Sequence, residues 1–194
     1  MKLAPRAMQI KLAGALALVL AASLIVVPAF AVGDGAEGTS NPENTVFIRD
    51  GKKGLRFVAP KFIYSGEELT VLNTTDPHKV GPHTFSLVTQ GSVPKTAKQR
   101  QLCFTPHHIC KAIAGWHGVK GEGPPKENPA KAGEEGWDTL GSLTKKGDSW
   151  FTGEKPKASE TQVVSAPGGT TLYFICAIHP WMHGSIEVRT SPAG

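Results

Sequence analysis

Short apolar stretches separated by turn signals organise this chain. Residues 45–50 (T-V-F-I-R-D), 55–59, 61–64, 69–73 and 83–89 are rich in β-branched and aromatic side chains. They are bounded by Gly51-Lys52-Lys53-Gly54, by Pro60, by Ser65-Gly66-Glu67-Glu68 and by a polar loop at 74–82. That composition and punctuation predict strands. The same texture returns at 161–165, 170–176 and 185–190, with Ala166-Pro167-Gly168-Gly169 as a turn. Helix and strand patterns do not alternate regularly along the chain. The prediction is an all-β sandwich or barrel, not a parallel α/β sheet.

Residues 91–160 break the pattern with many Lys, Gly and Pro and little period-two alternation. Residues 93–116 have room for one or two short helices separated at Pro106, with Ile109, Ile113 and Trp116 at helical spacing. Residues 118–136 read as irregular surface loop, and Trp116, Trp137 and Trp150 as anchors packing the segment onto the strands. The simplest organisation is one domain, 45–194, carrying an insertion at 91–160. Without that insertion, 93 of the 163 residues from Val32 onward remain, roughly the size of one small sandwich.

The N-terminus has another purpose. Lys2, Arg6 and Lys11 precede an apolar run at 12–27, and Ala29-Phe30-Ala31 has the small-x-small form of a cleavage site. Residues 1–31 therefore read as an export signal, too short for a comfortable membrane span, followed by a flexible lead-in at 32–44. Its removal takes the formal charge from +5 to +2. So small a charge, with no basic stripe, excludes nucleic acid as an expected partner. In an exported protein, Cys103 and Cys110 are candidates for a small disulfide loop, which leaves Cys176 unpaired. A metal that holds Cys176 as thiolate is the natural use for it.

Candidate chemistry concentrates at 172–184, L-Y-F-I-C-A-I-H-P-W-M-H-G. Cys176, His179 and Met182 lie three apart on one short loop. A thiolate, an imidazole and a thioether suit copper better than other first-row metals. One more imidazole is needed, and His83 in G-P-H-T-F-S-L is the candidate; His78, in the polar loop, reads as solvated. His183 competes with Met182 for the fourth position, where softness favours the thioether. Pro180 and Trp181, inside the loop, are candidates for a surface patch through which a partner docks. Adjacent His107 and His108, between the two cysteines, do not have zinc-ligand spacing.

These residues resemble the cupredoxins, the small type 1 (blue) copper proteins. The likeness runs through R-F-V-A-P-K-F-I-Y-S-G-E-E-L-T-V-L-N-T-T-D-P-H-K-V-G-P-H-T-F-S-L and A-P-G-G-T-T-L-Y-F-I-C-A-I-H-P-W-M-H-G-S-I-E-V. The C-x-x-H-x-x-M spacing is most similar to the short loop of amicyanin-like members. The resemblance covers about 90 residues and leaves 91–160 unmatched. It implies a Greek-key β-sandwich and one copper ion, with His83, Cys176 and His179 as strong ligands and Met182 as the weak axial one. It also implies a monomeric, exported one-electron carrier, periplasmic or extracellular, that meets a redox partner transiently and is not an enzyme. Copper handling, as a chaperone or sensor with the insertion as recognition element, is the other expectation. A multi-copper enzyme is disfavoured by the single sandwich and the lack of an H-x-H pair.

Overall fold

The computed structural model describes residues 42–119 and 131–192. The expected signal at 1–31, most of the lead-in and part of the loop expected at 118–136 lie outside the described residues. Among those described, ten strands form: β1 (Thr45–Arg49), β2 (Arg56–Val58), β3 (Phe62–Tyr64), β4 (Glu68–Asn73), β5 (Thr84–Val88), β6 (Lys131–Ala132), β7 (Ser149–Phe151), β8 (Ser159–Val163), β9 (Thr171–Ile175) and β10 (His183–Arg189). Three α-helices accompany them, α1 (Pro77–Val80), α2 (Ala97–Leu102) and α3 (Ile109–Trp116). The first sheet runs β2-β1-β4-β8 and the second β3-β10-β9-β5-β7-β6. β1 with β4 and β3 with β10 pair parallel, and the other neighbours are antiparallel.

The two sheets close on one apolar layer, so the fold is an all-β sandwich. Val46, Ile48, Leu69 and Val71 of the first sheet meet Phe85, Leu87, Leu172, Phe174 and Ile186 of the second, all fully buried. Phe85 and Phe174 stack at 4.8 Å between centroids, and Phe57 meets Phe174 edge-on at 5.2 Å. All eight expected strands form within two residues of their predicted ends.

The second sheet is covered on both faces. β5 is buried at every residue, because Phe85 and Leu87 point into the sandwich while Thr84, Ser86 and Val88, on the alternate face, lie under the 91–160 segment. The helices of that segment form where expected, on either side of Pro106. Thr96 opens α2 with a reciprocal capping box to Gln99. Ile109, Cys110, Ile113 and Trp116 form the buried face of α3 and pack with Val88, Ile175 and Ala177. A disulfide between Cys103 and Cys110 ties the end of α2 to the start of α3.

The second half of the segment departs from expectation. Residues 131–160 are not an irregular appendage: β7 pairs with β5, and β6 pairs with β7, widening the second sheet. Trp137 anchors the segment to the strands, as expected, but from inside the sandwich. It is fully buried in the main core, edge-on to Phe85 at 5.2 Å, and its Nε1–H donates to the Leu69 carbonyl at 3.2 Å. The Asp148 carboxylate organises the approach by accepting the backbone N–H groups of Glu134, Asp138 and Thr139 at 3.2, 2.9 and 2.7 Å. Gly133, at φ +94°, lies so close to Asp148 that a Cβ would overlap its carboxylate. Strands of two and three residues held by such long-range contacts leave no alternation for a sequence reading to find.

Candidate metal centre

Register brings the site together at one end of the second sheet. Ser86 pairs with Ile175 in the antiparallel β5–β9 ladder. The chain ends beyond that pair therefore run side by side, with His83 just before β5 and Cys176 just after β9. Ala177 N–H donates to Thr84 Oγ1 at 2.8 Å and locks this juxtaposition. The loop from Cys176 to Met182 is closed by its own backbone: Cys176 N–H donates to Met182 O at 2.9 Å, and Met182 N–H to His179 O at 2.8 Å. A spacing of three thus becomes a tight turn whose side chains converge.

His83, Cys176 and His179 present ligand atoms within 4.8 Å of one another, and all three residues are buried. Cys176 Sγ lies 3.9 Å from His83 Nδ1 and 3.7 Å from His179 Nδ1, and the two Nδ1 atoms are 3.1 Å apart. Metal–nitrogen and metal–sulfur bonds of about 2.0 and 2.3 Å place trigonal partners roughly 3.5–3.8 Å apart, so the cluster is the right size for one ion.

The outer hydrogen bonds show which nitrogen faces inward with a lone pair. Thr75 Oγ1 donates its one proton to Asn73 Oδ1 at 2.8 Å, so at 3.1 Å it accepts from His83 Nε2–H. His83 Nδ1 is then unprotonated. The Val80 backbone, at the end of α1, adds a smaller opposing pull on the His179 ring, and α1 is set by Asp76, whose carboxylate accepts His78 N–H at 3.0 Å. Two imidazole nitrogens facing each other at 3.1 Å beside a thiol form a pocket that a cation completes. The donor chemistry fits copper.

The electrostatics agree. Burial, with His179 alongside, lowers the His83 pKa from 6.5 to about 4, and burial also lowers that of His179. Both rings are neutral at pH 7 and available as ligands. Burial pushes the Cys176 thiol up, against the pull of the Thr84 N–H at 3.4 Å from its sulfur and of further bonds from His179, Ile178 and the Thr84 hydroxyl. A soft cation converts that thiol to thiolate.

The other expected residues divide. Met182 is buried in the same apolar cluster as Cys176, while His183, one residue on, is exposed on β10. His78 is exposed. Trp181 is 52% exposed and lies edge-on to His179 at 5.1 Å. Pro180, expected beside it on the surface, is buried, because the turn that brings Met182 N–H onto His179 O folds it inward. His107 and His108 lie away from this cluster, His108 Nδ1 being within 2.9 Å of Thr105 Oγ1. The sequence reading missed Thr75 and Thr84, which orient the donors from the polar loop and the strand around His83. Only the three-dimensional pairing identifies them.

A sandwich with a buried His₂Cys cluster and a methionine closing the same loop defines a cupredoxin-like site. Comparison with family models and with curated sequences finds no match. Among solved structures the chain is similar to a dithionite-reduced auracyanin from Roseiflexus castenholzii, at 18% identity and TM-score 0.38, covering 76% of this chain and 95% of that one. It is similar also to auracyanin A, a blue copper protein of Chloroflexus aurantiacus, at 15% identity and TM-score 0.38, covering 75% and 96%. A Cu(I) amicyanin variant follows at 16% identity and TM-score 0.30, covering 75% and 80%. These overlaps are loose, and the cupredoxin-like character rests on the two-sheet frame and the donor set.

Proposed function

We propose that the chain is an exported type 1 copper protein that carries single electrons to or from a transient protein partner. One observation carries this reading: two imidazole Nδ1 atoms and a thiol sulfur converge within 3.1–3.9 Å in a buried pocket, with the outer nitrogen of His83 bonded to Thr75. His83, Cys176 and His179 would hold the ion, with Met182 as the weak fourth ligand. Bound there, copper supplies a Cu(II)/Cu(I) couple in a ligand set acceptable to both states.

The protein's own part is to keep the donors still. The β5–β9 ladder, the Thr75 bond to His83 and the loop's backbone bonds hold the three side chains in place without metal, which limits rearrangement on electron transfer. His179 and Trp181 supply the way in and out. The indole covers the ring edge-on and is half in solvent, an apolar contact suited to short-lived docking. The protein acts as a monomer and carries out no chemistry on a substrate.

The test is retention of copper through redox cycling. A carrier keeps one copper per chain through repeated ascorbate reduction and ferricyanide oxidation in the presence of a Cu(I) chelator. Quantitative loss to the chelator on the first reduction would replace this reading with copper delivery or sensing.

A further inference from the structure

The outer face of β5 and β7 buries a line of polar side chains that the ligand set does not use. Thr84 is 4% exposed, Ser86 0%, Ser149 1% and His117 6%. Buried hydroxyls in a sheet covered by a helix carry a cost unless each is hydrogen-bonded. Here the bonds form one continuous chain. Ser86 Oγ donates to Thr84 Oγ1 at 3.0 Å, Ser86 and Ser149 meet Oγ to Oγ at 2.7 Å, and His117 Nε2 lies 2.8 Å from Ser149 Oγ.

Each hydroxyl has one proton, and that sets the direction of the whole chain. Ser86 spends its proton on Thr84, so Ser149 must donate to Ser86. Ser149 then has no proton left for His117, so His117 Nε2 must carry one and donate it. The chain ends on Thr84, the residue next to His83 whose backbone also faces Cys176. Thr84 Oγ1 also accepts the Ala177 N–H at 2.8 Å, and the Thr84 backbone N–H points at Cys176 Sγ at 3.4 Å.

We infer that His117, at the C-terminal end of α3 in the 91–160 segment, is a positioning residue for the metal site, setting the direction of a buried relay through Ser149, Ser86 and Thr84 that governs hydrogen-bond donation to the Cys176 sulfur. The inference rests on the copper reading for its redox consequence, but not for the relay itself. Donation to the sulfur withdraws charge from the thiolate and weakens its hold on Cu(II), so an intact relay raises the reduction potential. Links in such a chain polarise one another, so the loss of a distant donor is felt at the end. The segment would then be part of the redox site, and not only a cover for the sheet.

Two measurements on the mature protein test this. Nitrogen-15 NMR of the metal-free form reads the His117 tautomer directly, and the expected state at neutral pH is Nε2–H. Voltammetry of the copper-loaded form should then give a lower potential for His117→Ala and for Ser149→Ala than for wild type. His117→Gln, whose amide N–H replaces the donor, should return most of the shift, a recovery that restored packing alone does not predict. An Nδ1–H tautomer would overturn the relay's direction, and equal potentials for wild type, His117→Ala and Ser149→Ala would overturn its influence on the site. Should His117→Ala not fold, the tautomer and the other two variants decide the matter. Failure of the copper reading would look different: wild type itself would lack the thiolate–copper band, and the tautomer result would still stand.

Discussion

The loop from Cys176 to Met182 and the segment 91–160 reach order by opposite routes. The loop is local. Seven residues close on themselves through two backbone hydrogen bonds and bring two candidate donors, Cys176 and His179, to one spot. The segment is non-local, held by a disulfide, by helix α3 on the outer sheet face, by Trp137 in the main core and by β7 against β5. The motif spans seven residues and needs His83, from the start of β5, to complete the cluster, whereas the segment is ordered without any motif. The same sheet serves both, since β5 presents His83 at its end and Thr84 and Ser86 along its covered face.

If that comparison holds, damage to the segment should reach the whole fold, while damage around the loop should be felt mainly by the metal. The largest stability effect is expected at Trp137. Trp137→Ala should cost about 3–5 kcal/mol in urea unfolding, the range for a large aromatic lost from a packed core. A cost below about 1 kcal/mol would mean that the segment is an appendage after all.

Acid comes next. His83 has its pKa depressed to about 4 in the fold, against 6.5 in the unfolded chain. Between those values the unfolded chain binds the proton and the fold does not, so the metal-free protein loses stability as pH falls from about 6.5 through 4, by up to about 3 kcal/mol. The lowered pKa of His179 acts in the same direction. Unfolding curves of the metal-free form across this window should show the fall, and His83→Asn should flatten it.

Opening the disulfide should be milder. The double variant Cys103→Ser, Cys110→Ser frees a loop with a sequence separation of 7, worth about 2 kcal/mol on chain-entropy grounds. Its visible spectrum should match wild type, since the bridge touches no donor. The smallest effect is expected at Thr75→Val, which removes the partner that orients His83. Competition titration should show copper affinity reduced by about tenfold, the low end for loss of a residue that holds a ligand in place, with little change in the fold.

The loop's chemistry was legible because it is written in consecutive residues: Cys176, His179 and Met182 at intervals of three, on an apolar strand that predicts itself. His83 could be singled out only as a histidine opening a strand, and its meeting with Cys176 depends on the β5–β9 register. Trp137 could be read as an anchor for the segment, but not how deep it reaches, because its burial depends on Asp148 and Leu69, 11 and 68 residues away. Thr75, Thr84, Ser86 and Ser149 were invisible for another reason. Hydroxyls are common in loops and strands, and only their pairing distinguishes a relay from a solvated face.

Everything proposed for this site depends on His83, Cys176 and His179 binding copper through a thiolate. The visible absorption spectrum of the mature protein loaded with Cu(II), set beside that of Cys176→Ser, tests it most directly. Wild type should show an intense band toward the red, bleached by ascorbate and absent from the variant. A pale spectrum with only weak d–d absorption, the same in both proteins, would contradict it.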